Sequence, residues 1–390
     1  MVRDDRGARP IRLAWFSLVL PALVCNYFGQ GALLLADPAA VDNPFYRMVP
    51  GWALYPLVAL ATAATVIASQ AIISGTFSLT RQAVQLGYCP RVQIRHTSTE
   101  EIGQIYVPLV NWILMVATIG LVVGFQTSSG LAAAYGVAVS TTMVITTSLA
   151  YVVARELWKW PVVLALALST AFIVIDLAFF GANLLKIAHG GWFPLLVAAG
   201  VYALLSTWKR GRQLVAERLR TSTLALDTFL ELVRELKPAR VAGTGVFMSA
   251  SAEGVPAALV HHLKFNRALH ERLVLLTIDI EERPHVPRGD RVTIEPLEGG
   301  ITRLVGRYGF MDTPNVMEIV GRAEAKGLKV DLTDATFYLG REIVVASPRP
   351  GMARWRERLF VLMLRNARRA VDFFRIPSDR VVELGVKIEL

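Results

Sequence analysis

Long apolar runs separated by short polar stretches fill the first 208 residues, and after Trp208 the pattern changes to short mixed segments. Six runs approach or exceed the roughly 20 residues that a helical span needs: about 12–35, 53–80, 106–126, 130–153, 161–182 and 191–208. The second is the most informative. At 100° per residue Thr62, Thr65, Ser69, Thr76 and Thr80 fall within a sector of roughly 60°, so one narrow stripe of an otherwise apolar helix is polar. Lipid does not tolerate such a face, which must look at another helix, at water or at a solute. The fourth run repeats the theme, with Tyr135, Thr142 and Thr146 on one face and Ala138 and Val139 between them. Two striped spans can line one pathway.

The remaining spans differ in kind. The first contains Pro21 and the segment Asn26 to Gly31, a polar break that is read first as packing or bending and second as a solute contact. The third, through Asn111 and Trp112, is a plain structural helix. In the fifth, Asp176 lies mid-helix, where an unpaired acid costs on the order of 2.5–3.5 kcal/mol. It is either a functional carboxylate, with proton relay as its role, or one end of a helix-to-helix hydrogen bond. The hydroxyls carry the same ambiguity, because threonine and serine in membrane helices commonly bond the carbonyl four residues back.

Charge sets the topology. Arginines precede the first span, Arg81, Arg91 and Arg95 follow the second, Arg155 and Lys159 the fourth, and Lys209, Arg210 and Arg212 the sixth. The opposite loops hold Asp37, Asp42 and Arg47, then QTSSG, then Lys186 and His189. Positive-inside counting therefore puts both chain ends in the cytoplasm. Hydrophobic residues make up 54% of the 390 and charged residues 18%, and the mean hydropathy is +0.45, which places the chain among membrane proteins. The formal charge of +10 belongs to these loops and to the tail, so no nucleic-acid partner is expected. The two cysteines, Cys25 and Cys89, give no disulfide or zinc framework.

Residues 1–208 are thus expected to form a membrane domain, 209–240 an amphipathic basic helical connector ended by Pro238, and 241–390 a cytoplasmic α/β domain. Strands are expected at GTGVFMS, RLVLLTIDI, RVTIEPL, ITRLVGRYGF and REIVVAS, and helices at VPAALVHHLKFNRALH, PNVMEIVGRAEAKG and WRERLFVLMLRNARRA. Gly243 and Gly245 open a strand and do not complete a phosphate-binding fingerprint. His261, His262 and His270 do not form a metal set, since adjacent histidines point to different helix faces and no thiol joins them. No nucleophile elbow or catalytic triad stands out. No enzyme and no cofactor is expected, and the tail reads as a regulatory or scaffold domain.

Several long strings resemble one family: LPALVCNYFGQGALLL, NPFYRMVPGWALYPLVALATAATVIASQAIISGTFSLTRQAVQLGY, HTSTEEIGQIYVPLVNW, LAAAYGVAVSTTM, IDLAFFGANLLKIAHGGWFPL and RYGFMDTPNV. They are similar to bacterial Kup proteins of the KUP/HAK/KT family of potassium uptake permeases, from about residue 8 to the C-terminus. The resemblance implies a multi-pass protein of the bacterial inner membrane that moves potassium with protons, built on two inverted repeats whose broken first helices contribute to the ion site. The chain starts just after the family's sixth span, so it is expected to be N-terminally truncated, with an incomplete second half of that core. Carried over, the ion-pathway residues fall on the hydroxyl face of the second span, with Thr62, Thr65, Ser69 and Thr76, and on Tyr135 of the fourth; Thr142, which shares the face of Tyr135, is a further pathway candidate from the helix pattern. Expected partners are the lipid bilayer, potassium, a second copy through the cytoplasmic domain and the missing half as a separate chain. The alternative is a non-transporting fragment or accessory subunit whose tail binds a regulator.

Overall fold

Every apolar run that the sequence marks becomes a helix, and the tail becomes a wound sheet. The computed structural model describes residues 5–96, 105–222, 224–328, 335–345 and 351–389. The chain divides into two compact units, Met1–Gly75 and Thr76–Leu390.

In the first unit, α1 (Asp5–Ala14) and α2 (Leu20–Ala36) are joined by a π-helical turn over Trp15–Val19. Pro21 has no amide proton for the helical ladder, and the wide turn before it absorbs that mismatch. The helix runs unbroken through Asn26 to Gly31. Gly29 lies where a Cβ would meet Met48 Sδ at 2.8 Å, and Gln30 donates to Asn26 Oδ1 at 3.3 Å. That segment is therefore engaged in packing. After α3 (Pro44–Arg47) comes α4 (Leu54–Gln85), whose residues from Thr76 onward belong to the second unit.

In the second unit α4 ends at Gln85, and Gly87 follows with a left-handed φ of 75°. The strands β1 (Arg95–His96) and β2 (Ile105–Tyr106) pair antiparallel. Ser98 and Glu101, which have the spacing of a capping box for the helix that follows, lie outside the described residues. Then come α5 (Pro108–Phe125), α6 (Ser128–Glu156), α7 (Val162–Leu184) and α8 (Trp192–Ser222). Thr127 caps α6, accepting from the Gly130 amide. Among the described residues five helical stretches are long and apolar enough to cross a membrane, the last being Val162–Leu184. The sixth expected run, 191–208, is the first half of α8, which continues without a break through KRGRQ to Ser222.

The tail adds α9 (Leu226–Leu236), β3 (Ala239–Ser249), α10 (Ala257–Asn266), β4 (Ala268–Glu281), β5 (Val292–Pro296), β6 (Ile301–Gly309), α11 (Val316–Ala325), β7 (Ala335–Val345), α12 (Arg354–Arg365), α13 (Ala370–Phe373) and β8 (Val381–Glu389). The sheet order is β5-β6-β4-β3-β7-β8, parallel except for β5. One apolar layer, with Phe229, Leu259 and Leu263, packs α9 and α10 on one face, and another, with Val316, Ile319 and Val371, packs α11 and α13 on the other. Two buried faces explain the unbroken apolar stretches Val246–Met248 in β3 and Leu273–Leu276 in β4. The expected helix 255–270 is shorter: Arg267 takes a left-handed φ of 49° and ends it, and Ala268, Leu269 and His270 begin β4.

The tail is fastened to the C-terminal parts of α4 and α8. Arg81 donates from Nη2 to the Met311 carbonyl at 2.6 Å and to Thr313 Oγ1 at 3.4 Å, and Gln85 donates to the Asp312 carbonyl at 2.7 Å. Asp312 itself accepts from the Val286 and Gly309 amides at 3.0 and 2.9 Å and pairs with His285 and Arg291. Burial pushes its carboxyl up, but His285, these two amides and Arg291 outweigh burial and hold it below the ordinary carboxylate range. Arg91 lies against the Phe373 and Phe374 rings, each centroid 5.3 Å away. Burial, then the charge of Arg212, pulls its guanidinium down to about 10 against the opposing effect of Glu342. Lys209 sits over the Tyr88 ring and donates to its hydroxyl, and Arg212 pairs with Glu342.

Candidate functional site

The α6–α7 pair is built for close approach. Ala133, Ala134, Val137 and Ser140 are buried on α6, and a Cβ on Gly136 would meet Asn183 Oδ1 at 2.5 Å. Small residues bring the two backbones together, as helices in lipid require where dispersion replaces the hydrophobic drive. Ser140 and Thr141 turn their hydroxyls inward, to Gly136 and Val137 carbonyls at 2.7 Å each.

Beside this contact runs an open groove of about 480 Å³, lined by Tyr135, Ala138, Val139, Thr142, Met143, Thr146, Thr147 and Asp176. The face read from the fourth run is thus one wall of it. Tyr135 is 70% exposed, whereas Asp176 is 5% exposed at the groove's far wall. Thr147 donates its hydroxyl to Asp176 Oδ2 at 2.5 Å, which joins α6 to α7. Of the two readings of Asp176, the helix-to-helix hydrogen bond is therefore present. Thr147 was not among the expected residues. Nothing in a single-helix pattern points from residue 147 to 176; the only signal is the general one that a mid-span acid needs a partner.

The hydroxyl stripe of α4 has a common chemistry. Thr62 donates to the Val58 carbonyl at 2.8 Å, Thr65 to Ala61 at 2.9 Å, Ser69 to Val66 at 2.7 Å and Thr80 to Thr76 at 2.8 Å. Thr142 does the same to Ala138 at 2.9 Å. Each spends its proton on the helix backbone and leaves its oxygen lone pairs facing outward. Such an oxygen accepts from water or coordinates a cation and donates nothing further. Thr62, Thr65 and Ser69 lie in the first unit, and Thr76, Tyr135, Thr142 and Asp176 in the second. The structure brings Tyr135, Thr142, Thr146, Thr147 and Asp176 to one groove.

Residues 5–213 match the K+ potassium transporter integral membrane domain, and residues 242–390 match the K+ potassium transporter C-terminal domain. The chain belongs to the K+ potassium transporter family. It is 57% identical over 387 residues to a probable potassium transport system protein Kup of Myxococcus xanthus, covering 98% of this chain and 59% of that relative. It is 53% identical over 384 residues to a probable potassium transport system protein Kup 2 of Chromobacterium violaceum, covering 98% of this chain and 62% of that one. With a relative from Anaeromyxobacter the identity is 55% over 389 residues. The chain spans about three fifths of the length of the curated relatives it matches. The matched range places both the groove and the α4 stripe inside the family's integral membrane domain.

Proposed function

We propose that this chain supplies part of a potassium pathway in a proton-coupled uptake transporter of the bacterial inner membrane. The observation that carries this is the groove of Tyr135, Thr142 and Thr146 closed on one side by the Thr147–Asp176 pair, within a chain of the potassium transporter family. Potassium needs oxygens to replace its hydration shell, and hydroxyls and carbonyls do so without the tight hold of a carboxylate. Thr142, like Thr62, Thr65 and Ser69 of α4, has its proton committed and its lone pairs open, and Thr76 continues the α4 stripe. Asp176 takes up and returns the proton: Thr147 occupies Oδ2, and Oδ1 is the oxygen left to be protonated. Both chain ends face the cytoplasm, a reading supported by the basic residues that follow α4, α6 and the apolar half of α8. The tail, clasped to α4 through Arg81 and Gln85, is the part on which a regulator acts.

The test is potassium uptake in a transporter-deficient cell by this chain and by a chimera that adds the remaining two fifths of the Myxococcus xanthus relative. In whichever of these transports, Tyr135→Phe and Ser69→Ala are expected to raise the half-saturating potassium concentration at unchanged protein level. Asp176→Asn is expected to flatten the pH dependence of uptake. Unaltered kinetics in the first pair remove those residues from the pathway, and a pH profile unchanged by Asp176→Asn removes the proton role.

A further inference from the structure

We propose that the first turn of α12 is a docking point for anionic phospholipid, with Trp355 seated at the boundary of headgroups and acyl chains and Arg354 and Arg358 on the lipid phosphates. The inference stands on the membrane character of the chain and is independent of what is transported.

Its basis is where α12 begins. Arg356 donates from Nε to Thr207 Oγ1 at 2.9 Å and from Nη2 to Ser206 Oγ at 3.3 Å. One turn on, the Phe360 ring lies 5.3 Å from Trp208, and Gly211 leaves the space that this ring fills. These contacts fix the start of α12 at the level where the apolar half of α8 gives way to Lys209 and Arg210. In a membrane protein that level is the headgroup layer. The opposite side of the same turn is open. Trp355 is 58% exposed, and Arg354 and Arg358 are exposed beside it. At 100° per residue Arg354, Arg358 and Trp355 stand at about 0°, 40° and 100°, so the three share one sector of roughly 100° with both arginines to one side of the indole. Among the described residues no carboxylate pairs with either arginine.

A large exposed indole beside two guanidinium groups that pair with no described carboxylate is poorly placed in water. It is well placed at a lipid interface, where the ring meets acyl carbon and its N–H the wet side, and where guanidinium forks fit phosphate oxygens. Each such cation is attracted to an anionic leaflet by an energy equivalent to about a five-fold preference. The chemistry selects a phosphate-bearing surface over an apolar partner, because two positive charges stand beside the indole on the same exposed face. The contact anchors the tail independently of its grip on α4.

The experiment uses the full chain in nanodiscs of phosphatidylcholine with or without phosphatidylglycerol, either lipid carrying brominated acyl chains as a fluorescence quencher. The chain has eight tryptophans, so the Trp355 signal is the difference between the unaltered chain and Trp355→Phe. That signal is expected to be quenched more by brominated phosphatidylglycerol than by brominated phosphatidylcholine. The preference is expected to fall about five-fold with Arg354→Gln and again with Arg358→Gln, to survive lysine at both positions, and to fade as salt is raised. Equal quenching by both lipids, or none by either, overturns the proposal. So does a Trp355→Cys chain that cross-links to a second copy in place of meeting lipid.

Discussion

Replacing Arg81 with alanine is expected to loosen the tail's grip on α4 without unfolding either. Arg81 is 8% exposed and makes the 2.6 Å bond to the Met311 carbonyl together with the longer one to Thr313. A hydrogen bond from a charged donor contributes about 1.5–3 kcal/mol, and a carbonyl left without its donor adds to the loss. Burial limits solvent screening, so about 2–3 kcal/mol is the expected cost, or roughly a 30- to 150-fold rise in the undocked population. The neighbouring bond from Gln85 to the Asp312 carbonyl remains, so Arg81→Ala and Gln85→Ala together should cost more than either alone. Hydrogen exchange on the full chain in nanodiscs reads this directly. Amides of the loop around Gly309 to Thr313 should exchange faster, while β4, in the sheet interior, should not change. Arg81→Lys keeps the charge but not the fork and should restore part of the protection. If loop exchange in Arg81→Ala equals that of the unaltered chain, the clasp carries no energy and the reasoning fails.

Gly211→Ala places a methyl group inside the Phe360 ring; a loss of about 1–3 kcal/mol is expected, seen as an earlier melt of the tail, and a neutral variant would mean that α8 and α12 part readily. Thr147→Val preserves shape but leaves Asp176 Oδ2 without its donor, so the melting temperature should fall by the equivalent of about 1–3 kcal/mol. Asp176→Asn in the Thr147→Val background should then cost less than in the unaltered chain. His262 is buried against Tyr338, Phe247 and His270, and burial, then the charge of His270, lowers its pKa. A lowered folded-state value means that the unfolded chain binds more protons, so tail stability is present above about pH 6.5 and is lost as the pH falls from there through the folded value. His262→Gln should flatten that part of the stability profile; an unchanged slope would assign it elsewhere.

The membrane helices were legible because lipid leaves little choice: a long apolar run must be helical, and hydroxyls at 62, 65, 69, 76 and 80 share a face on any straight helix. The α6 wall of the groove was legible for the same reason. Its far wall was not, because the pairing of Thr147 with Asp176 depends on which residues of two helices come level, and neither helix records that alone. The π-helical turn at Trp15–Val19 is similarly silent, although Pro21 hints at a disturbance. In the tail, β8 escaped notice because VVELGVKIE interleaves Glu383, Gly385 and Lys387 with apolar residues, as an edge strand does, and its place is set by pairing with β7. The end of α10 was misplaced because an arginine, not a glycine, takes the left-handed position.

The unbroken course of α8 has a mechanical consequence. Its 31 residues make a rod of about 46 Å, with its first half in the apolar run and its second half in the tail. A tilt of about 5° about its middle would displace each end by about 2 Å, and in opposite directions. The tail end cannot follow freely, because α12 and β8 pack against it. Any rocking of α8 is therefore geared to the sheet it packs against, and braking the sheet would brake the helix.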